Sequence, residues 1–364
     1  MFLLSVLVGM FLLTYIFARF WLWMLGAVRK TAAYRRGMLA IFMFSYGLSL
    51  ASYILIRSSQ ASALHLMAFW LVVLMYTIFA ALTVVLLYWL LRKWLPESVL
   101  GRVLRIGGLA VFAGVFGVSV YNAYTPVVRH ASITLDKPLA QPLRIGLASD
   151  LHIGSFFGAN QLDKLSDIMH HEKVDMIMLA GDIMDDSIDV YLDEHMQPSM
   201  MKLRAPLGTY AVLGNHDLLG WQEQIYDELT KAGIKVLNDE AVPLDDGRLW
   251  LIGRLDDNAK NRLPIDKLLL QVEPGKPVIL MEHRPTEIVP HSRLPIDIQF
   301  SGHTHNGQIF PANLLAAHLN RLAYGYEKIG LGHYFVTSGY GFWGVPLRLG
   351  SQSEVWIIDV KGKP

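Results

Sequence analysis

Seven side chains able to bind a metal ion, and an eighth of the kind that moves protons, recur in short fragments beyond residue 148. They are Asp150 and His152 in Ser149-Asp150-Leu151-His152, Asp182 in Gly181-Asp182, Asn215 and His216 in Gly214-Asn215-His216-Asp217, His283 alone, and His303 and His305 in Gly302-His303-Thr304-His305. Taken singly, each fragment is no more than a turn with a capping carboxylate. Together they form a series, because nearly every short apolar run in this half of the chain stops at one of them. Carboxylate, amide oxygen and imidazole without sulfur suit Mn²⁺, Fe or Zn²⁺. Two such ions about 3.5 to 4 Å apart form a device for hydrolysing phosphate esters, since a shared water loses its proton readily and the cations neutralise the phosphoryl oxygens. A carboxylate suits the bridging position because its two oxygens can each serve one cation.

The ordered series Asp-x-His, Gly-Asp, Gly-Asn-His-Asp, His, Gly-His-x-His resembles the calcineurin-like metallophosphoesterase superfamily, over about residues 142 to 360. The tail, with Gly302-His303-Thr304-His305-Asn306-Gly307-Gln308 and later Gly344-Val345-Pro346-Leu347-Arg348, resembles the branch of membrane-associated bacterial phosphohydrolases. Asn306 stands where that branch usually has Gly, and Ser353-Glu354 where it usually has Pro-Glu; neither departure removes a ligand. The resemblance implies that Asp182 bridges two divalent ions, that Asp150, His152 and His305 complete one site, and that Asn215, His283 and His303 complete the other. It implies that His216 lies outside the ligand set as the catalytic group, protonating the leaving oxygen or binding the phosphoryl group. Such general-acid work is typically worth about 10² to 10⁴ in rate. Asp217 or Asp185 is a candidate to orient His216, and each is as readily a solvated loop carboxylate. Arg284, beside His283, is a candidate to contact phosphate but reads more readily as one half of a surface ion pair. The protein Ser/Thr phosphatase branch is disfavoured, because Asp182 is followed by Ile183-Met184-Asp185-Asp186-Ser187 and Asp217 replaces that branch's Glu.

The elements that must hold these residues divide the 364-residue chain in two. Hydrophobic residues make up 53% of it, and the excess lies in the first third. Four stretches are long enough to cross a bilayer: about Phe2 to Val28, Gly37 to Ile56, Ala61 to Leu91 and Ile106 to Thr125. The first has no basic segment ahead of it and three more follow, so it reads as a span rather than a cleaved signal. Ala110 and Gly114, with Ala113 and Gly117, place small residues four apart and predict close helix packing by the fourth span. Arg29, Lys30, Arg35 and Arg36 separate spans one and two, and Arg92, Lys93, Arg102 and Arg105 separate three and four, against Arg57 alone in the remaining loop. Basic loops stay in the cytoplasm, so the catalytic half is expected on the outer side of a multi-pass cell-membrane protein. Beyond residue 130 there are 21 basic and 30 acidic residues, a net of −9, which argues against a nucleic-acid substrate. Zero cysteines exclude disulfides and thiolate ligands.

Residues 126 to 141 contain three prolines and read as a linker, which sets the domains at 1 to 125, 126 to 141 and 142 to 364. Past Pro142, β-like runs at Leu143 to Ser149, Val174 to Ala180, Thr209 to Leu213, Leu249 to Ile252, Val278 to Met281, Ile296 to Ser301, Tyr334 to Thr337 and Val355 to Asp359 alternate with helical patterns at Gln161 to His171 and Trp221 to Ala232. The ligands follow the C-terminal ends of these runs, where loops of an α/β fold converge. The expected architecture is a bundle of four transmembrane helices followed by the family's α/β/β/α sandwich of two sheets. The expected function is membrane-anchored, dinuclear hydrolysis of a phosphomonoester, phosphodiester or pyrophosphate by a metal-bridging hydroxide. The expected partners are the lipid bilayer and a phosphoester, with a phospholipid or nucleotide-linked lipid attractive because Leu314 to Leu322 and Phe342-Trp343 are apolar, although these residues suit a core equally. The alternative is a membrane sensor or scaffold whose metal domain is inactive; the complete ligand set and His216 speak against it.

Overall fold

The computed structural model describes residues 2–27, 31–56 and 61–363. It divides into two compact units, Met1–Ser119 and Val120–Pro364. Arg29, Lys30 and Arg57, three of the cations that set the predicted orientation, lie outside the described residues.

The first unit holds α1 (Phe2–Met24), α2 (Ala32–Ile56), α3 (Ala61–Leu91) and most of α4 (Glu97–Tyr124). Among the described residues three helical segments are long and apolar enough to cross a membrane: Leu7–Met24, His65–Leu91 and Glu97–Tyr124. The expected count of four is corrected by α2, which is helical but carries Arg35 and Arg36 in its first turns and Ser45, Ser49 and Ser52 further on. The packing expected of Ala110, Ala113, Gly114 and Gly117 is not made within this unit, where all four are exposed. Gly108 makes the close approach instead, since a Cβ there would meet Val84 at 2.8 Å and Phe20 at 3.1 Å. Polar side chains pair across the helices, with Tyr76 Oη donating to Ser119 Oγ at 2.7 Å and Trp21 Nε1 to Thr77 Oγ1 at 3.2 Å.

The second unit is a two-sheet sandwich. Its strands are β1 (Val127–Leu135), β2 (Leu143–Ala148), β3 (Met176–Ala180), β4 (Thr209–Val212), β5 (Lys235–Val236), β6 (Glu240–Leu244), β7 (Leu249–Gly253), β8 (Val278–Met281), β9 (Ile298–Ser301), β10 (Gly325–Ile329), β11 (Gly332–Val336) and β12 (Glu354–Gly362). They form two six-stranded sheets, ordered β1-β12-β2-β3-β4-β5 and β10-β11-β9-β8-β7-β6. Pairing is parallel along β2-β3-β4-β5 and along β7-β8-β9-β11, so the carboxyl ends of these strands point one way within each sheet. The helices are α5 (Ala159–His171), α6 (Asp189–Asp193), α7 (Gln197–Met200), α8 (Gln222–Lys231), α9 (Ile265–Leu269), α10 (Ile288–His291) and α11 (Ala312–Leu319).

Side-chain alternation builds the layers. Met176, Met178 and Ala180 of β3 face the core between the sheets, together with Ile279 and Met281 of β8, while Ile177 and Leu179 face the helices. Leu162, Leu165 and Met169 of α5 and Ile225 and Leu229 of α8 cover the first sheet, and Leu268 of α9 and Ile288 of α10 cover the second. This is the expected α/β/β/α arrangement. The linker expected at residues 126 to 141 is corrected: Val127–Leu135 is an edge strand paired in parallel with β12, and Ile133 and Leu135 are buried in the inter-sheet core. Its alternating apolar side chains were hidden in the sequence by Arg129, His130 and Ser132, which an edge strand can leave facing out.

Candidate metal centre

The singled-out residues leave the parallel strands at their carboxyl ends. Asp150 and His152 follow β2, Asp182 follows β3, Asn215 and His216 follow β4, His283 follows β8, and His303 and His305 follow β9. The loops are sewn together by main-chain bonds: Asp150 N–H donates to Gly181 O (2.9 Å), His152 N–H to Asp182 O (3.1 Å) and Gly302 N–H to His283 O (2.9 Å). Asp150, His152, Asp182, His303 and His305 all adopt left-handed backbone, with φ between 45° and 69°. Such conformations cost about 1–3 kcal/mol for residues with side chains and gather where function over-determines the chain. Gly181 itself sits at φ 89°, and a Cβ there would come 2.6 Å from His283 Nδ1. The glycine that precedes Asp182 therefore lets another candidate ligand approach.

Three groups of three potential ligands meet here among the described residues: His152, Asp185 and His216 share His152 with the first of the two that follow. Asp150, His152 and His305 make one, and Asp182, His283 and His303 the other, with ligand atoms in each group within 4.8 Å of one another. Asp182 lies against both: its Oδ2 is 3.0 Å from His283 Nε2 and 3.8 Å from His152 Nε2. His305 Nε2 is 3.3 Å from Asp150 Oδ1 and 3.1 Å from His152 Nε2. Asn215 is placed by the same loop as His216, whose N–H donates to Asp182 Oδ1 at 2.9 Å.

These residues fit a pair of cations on the evidence of their own atoms. His283 Nδ1 sits 2.8 Å from Ala180 O, which makes it the donor and turns the lone pair of Nε2 inward. Asn215 Oδ1 is buried and without a hydrogen-bond partner, whereas His283 Nε2 and His152 Nδ1 face the carboxylates of Asp182, at 3.0 Å, and Asp185, at 3.3 Å. A buried polar atom left unpaired costs about 1–3 kcal/mol, so Asn215 Oδ1 calls for a ligand. Burial drives the imidazoles of His303, to about 3, and His305 toward the neutral form that binds metal. Burial likewise opposes the cation at His283, but Asp182 and then Asp150 overcome it and raise its pKa to about 10. The same two carboxylates would favour a divalent ion in that place.

The sequence model of the calcineurin-like phosphoesterase family matches residues 143–307. A metallophosphoesterase of Helicobacter pylori is 33% identical over 270 residues, 71% of this chain and 71% of its own. A metallophosphoesterase of Aquifex aeolicus is 32% identical over 267 residues, 70% of this chain and 98% of its own. The chain belongs to the calcineurin-like phosphoesterase family. A further relative, a Bos taurus protein named for a transmembrane part and a metallophosphoesterase domain, is 30% identical over 66% of this chain and 59% of its own.

Within this metallophosphoesterase the partner of His216 is neither carboxylate singled out from the sequence. Asp186 meets His216 Nδ1 directly, while Asp185 Oδ1 lies 3.3 Å from His152 Nδ1. Burial works against the His216 cation, but the Asp186 hydrogen bond and nearby Asp182 outweigh it and raise the pKa. Asp217 does other work. Fully buried, its carboxylate accepts from the main-chain N–H groups of Ile183, Met184 and Gly214 at 2.9–3.1 Å, fastening the loop after β3 to the loop after β4. Arg284 forms an ion pair, with Asp256 at 3.0 Å, but not the surface pair expected, because Asp256 is buried. Buried Arg348, quoted from the sequence only within a resemblance, brings Nη2 to 3.1 Å from His305 Nδ1.

A cavity of about 280 Å³ opens over the site, lined by Asp182, His216, His303, His305, Gln308 and Trp343 among others. Trp343 is 48% exposed, whereas Phe342 is buried. Leu314, Leu315 and Leu319 of α11 are also exposed, so the reading of these stretches as core holds for Phe342 and in part for Leu322, which packs against Ile288, Tyr334 and Val336. Glu282, Glu287 and His291 form a further cluster with metal-like spacing. Arg254 and Arg262 already neutralise it, at 3.1 Å and 2.7 Å from Glu282.

Proposed function

We propose that this protein is a membrane-anchored, dinuclear phosphohydrolase whose substrate is an amphiphilic phosphoester. The observation that carries the metal assignment is the convergence of Asp182 on both three-residue groups, beside the unpaired Oδ1 of Asn215. Asp150, His152 and His305 would hold one ion, Asn215, His283 and His303 the other, with Asp182 shared. When bound, divalent ions of the Mn²⁺, Fe or Zn²⁺ kind supply Lewis acidity toward the phosphoryl oxygens and an activated water. His216 supplies the proton. Asp186 accepts from Nδ1–H and stabilises the imidazolium, leaving Nε2–H free to donate to the departing oxygen. Asp185 holds the ring of His152, and Asp217 fixes the distance between the loops carrying Asp182 and His216.

Three helices long and apolar enough to cross a membrane, and the Bos taurus relative named as a transmembrane protein, support the anchoring. Arg35, Arg36, Arg92, Lys93, Arg102 and Arg105 support an outer catalytic unit by the bias of basic loops toward the cytoplasm. An amphiphilic substrate is favoured by α11, which follows directly on Gly307 and Gln308 of the cavity wall and exposes Leu314, Leu315 and Leu319, the last at 70%. The net charge of −9 beyond residue 130 disfavours nucleic acid.

The test compares kcat/KM of the full-length protein with Mn²⁺ for a phosphorylated lipid in mixed micelles and for its water-soluble head group. The lipid should be turned over at least about tenfold more efficiently, and Leu315→Glu in α11 should erase the advantage without touching the head-group rate. Equal efficiency for both substrates, unchanged by the substitution, overturns the amphiphilic reading. Failure to hydrolyse any phosphoester with two metals bound overturns the enzymatic one.

A further inference from the structure

The last turn of α4 belongs to the second unit and is bonded there through Asn122 and Tyr124, with Thr125 just beyond. Asn122 O accepts from Ser353 N–H at 2.9 Å, and Asn122 Nδ2 donates to Arg348 O at 3.2 Å. Ala123 is fully buried in the core that contains Val355 and Ile357. Tyr124 O accepts from Lys164 Nζ at 3.2 Å, Tyr124 Oη donates to Phe156 O at 3.1 Å, and its ring meets that of Phe342 at 5.3 Å. Thr125 O accepts from Gln352 Nε2 at 2.9 Å. The orphan carbonyls of a helix end, which water usually satisfies, are here satisfied by the segment 348–353 and by Lys164.

That same segment is built into one of the two ligand groups. Arg348 is wholly buried, and its guanidinium donates to the carbonyls of Ser338, at 2.7 Å, and Gly341 while lying 3.1 Å from His305 Nδ1. The loop 338–341 that it holds is the floor under Asp150. Gly341 N–H donates to Asp150 O and Tyr340 N–H to Ser149 O, both at 2.8 Å. A Cβ on Gly339 would come 2.8 Å from Asp150 Cβ, so the floor cannot shift without moving the carboxylate. Asp150 and His305 are two of the three residues in one group. Asp182, His283 and His303 touch neither Arg348 nor the loop 338–341 by hydrogen bond, although His303 N–H donates to the Asp150 carboxylate at 3.0 Å.

We infer that Asn122, at the end of the helix α4, is a positioning residue for the Asp150/His152/His305 group: it holds the backbone of Arg348, whose guanidinium in turn holds the loop beneath Asp150 and packs beside the His305 ring. The inference rests on the assignment of two metal sites above and divides them, because only one of the two is buttressed from α4. Partners that orient metal ligands from behind typically change metal affinity about 10–100-fold when removed. The loss should fall on one ion.

The experiment uses the full-length protein in detergent and measures, for each variant, Mn²⁺ bound per chain by elemental analysis, its dissociation constants by titration, and the melting temperature after chelation. In Asn122→Leu, which keeps the bulk and removes the donor, one Mn²⁺ should bind at least about tenfold more weakly while the other is unchanged and the chelated protein melts as the parent does. Asn122→Gln, which restores a carboxamide donor, should recover part of the loss. His303→Ala serves as the opposite case and should weaken the ion that Asn122→Leu spares. Unchanged affinity for both ions in Asn122→Leu overturns the inference, and so does equal weakening of both with a lowered melting point, which would mark Asn122 as a general support. If the parent itself binds fewer than two Mn²⁺, the dinuclear reading fails first, and that result is visible before any variant is made.

Discussion

Asp182 and His216 carry different kinds of consequence although they are bonded to each other. Asp182 touches both ligand groups, so Asp182→Asn removes the negative charge that two cations would share while keeping the shape of the side chain. Hydrolysis of a nitrophenyl phosphodiester should be abolished and bound metal should fall, with circular dichroism unchanged. Near-parental activity with two metals still bound would rule out the bridging role. His216 is bound on Nδ1 by Asp186 and stands outside both of the proposed ligand triads. His216→Ala should therefore keep both metals and lower kcat by roughly 10² or more. Asp186→Asn should fall in the same direction by a smaller factor, because the imidazole remains but its cation loses its counter-charge. Loss of metal in either variant would reassign the pair as ligands.

At the level of elements, the site is a property of where parallel strands end. Strands β2, β3 and β4 of one sheet and β8 and β9 of the other each run out into a loop that begins with a candidate ligand. Glycine makes the loops close enough. A Cβ on Gly214 would collide with the Asp182 carboxylate and lie 2.5 Å from its main-chain nitrogen. Gly214→Ala should thus displace Asp182 while leaving the sheets, whose cores lie elsewhere, intact. The expected outcome is a loss of 10²-fold or more in kcat/KM, of the order that a misplacement of about 1 Å can cause, with the melting temperature of the chelated protein lowered by only a few degrees. A collapse of the fold, or full activity, would each contradict this account of the loop.

For the whole molecule, helix α4 ends at Tyr124 and β1 begins at Val127, which leaves Thr125 and Pro126 between them. The orientation proposed for the unit predicts that protease added to intact spheroplasts digests it and that a C-terminal alkaline phosphatase fusion is active. Protection from protease together with an active cytoplasmic reporter would reverse the orientation and move the substrate pool to the cytosol.

Much of this protein could be read without its structure, and the reason is the range of the interactions involved. Strand β8 was expected and found at Val278 to Met281, and α5 and α8 lie within two residues of their expected limits, because alternation and helical period are local signals. The order of candidate ligands was equally legible, since each sits within four residues of a strand end. Other features depended on packing between residues far apart in sequence. Strand β1 is recognisable only through its pairing with β12, more than two hundred residues on. Asp185 and Asp186 are adjacent in sequence, and only the folded loop sends one to His152 and the other to His216. The exposure of Leu319 and the burial of Phe342 follow from which faces the sheets had already covered. Sequence determined which residues could meet a metal; tertiary structure decided which carboxylate serves which imidazole, because a side chain reaches only a few ångströms and the fold alone chooses its neighbours.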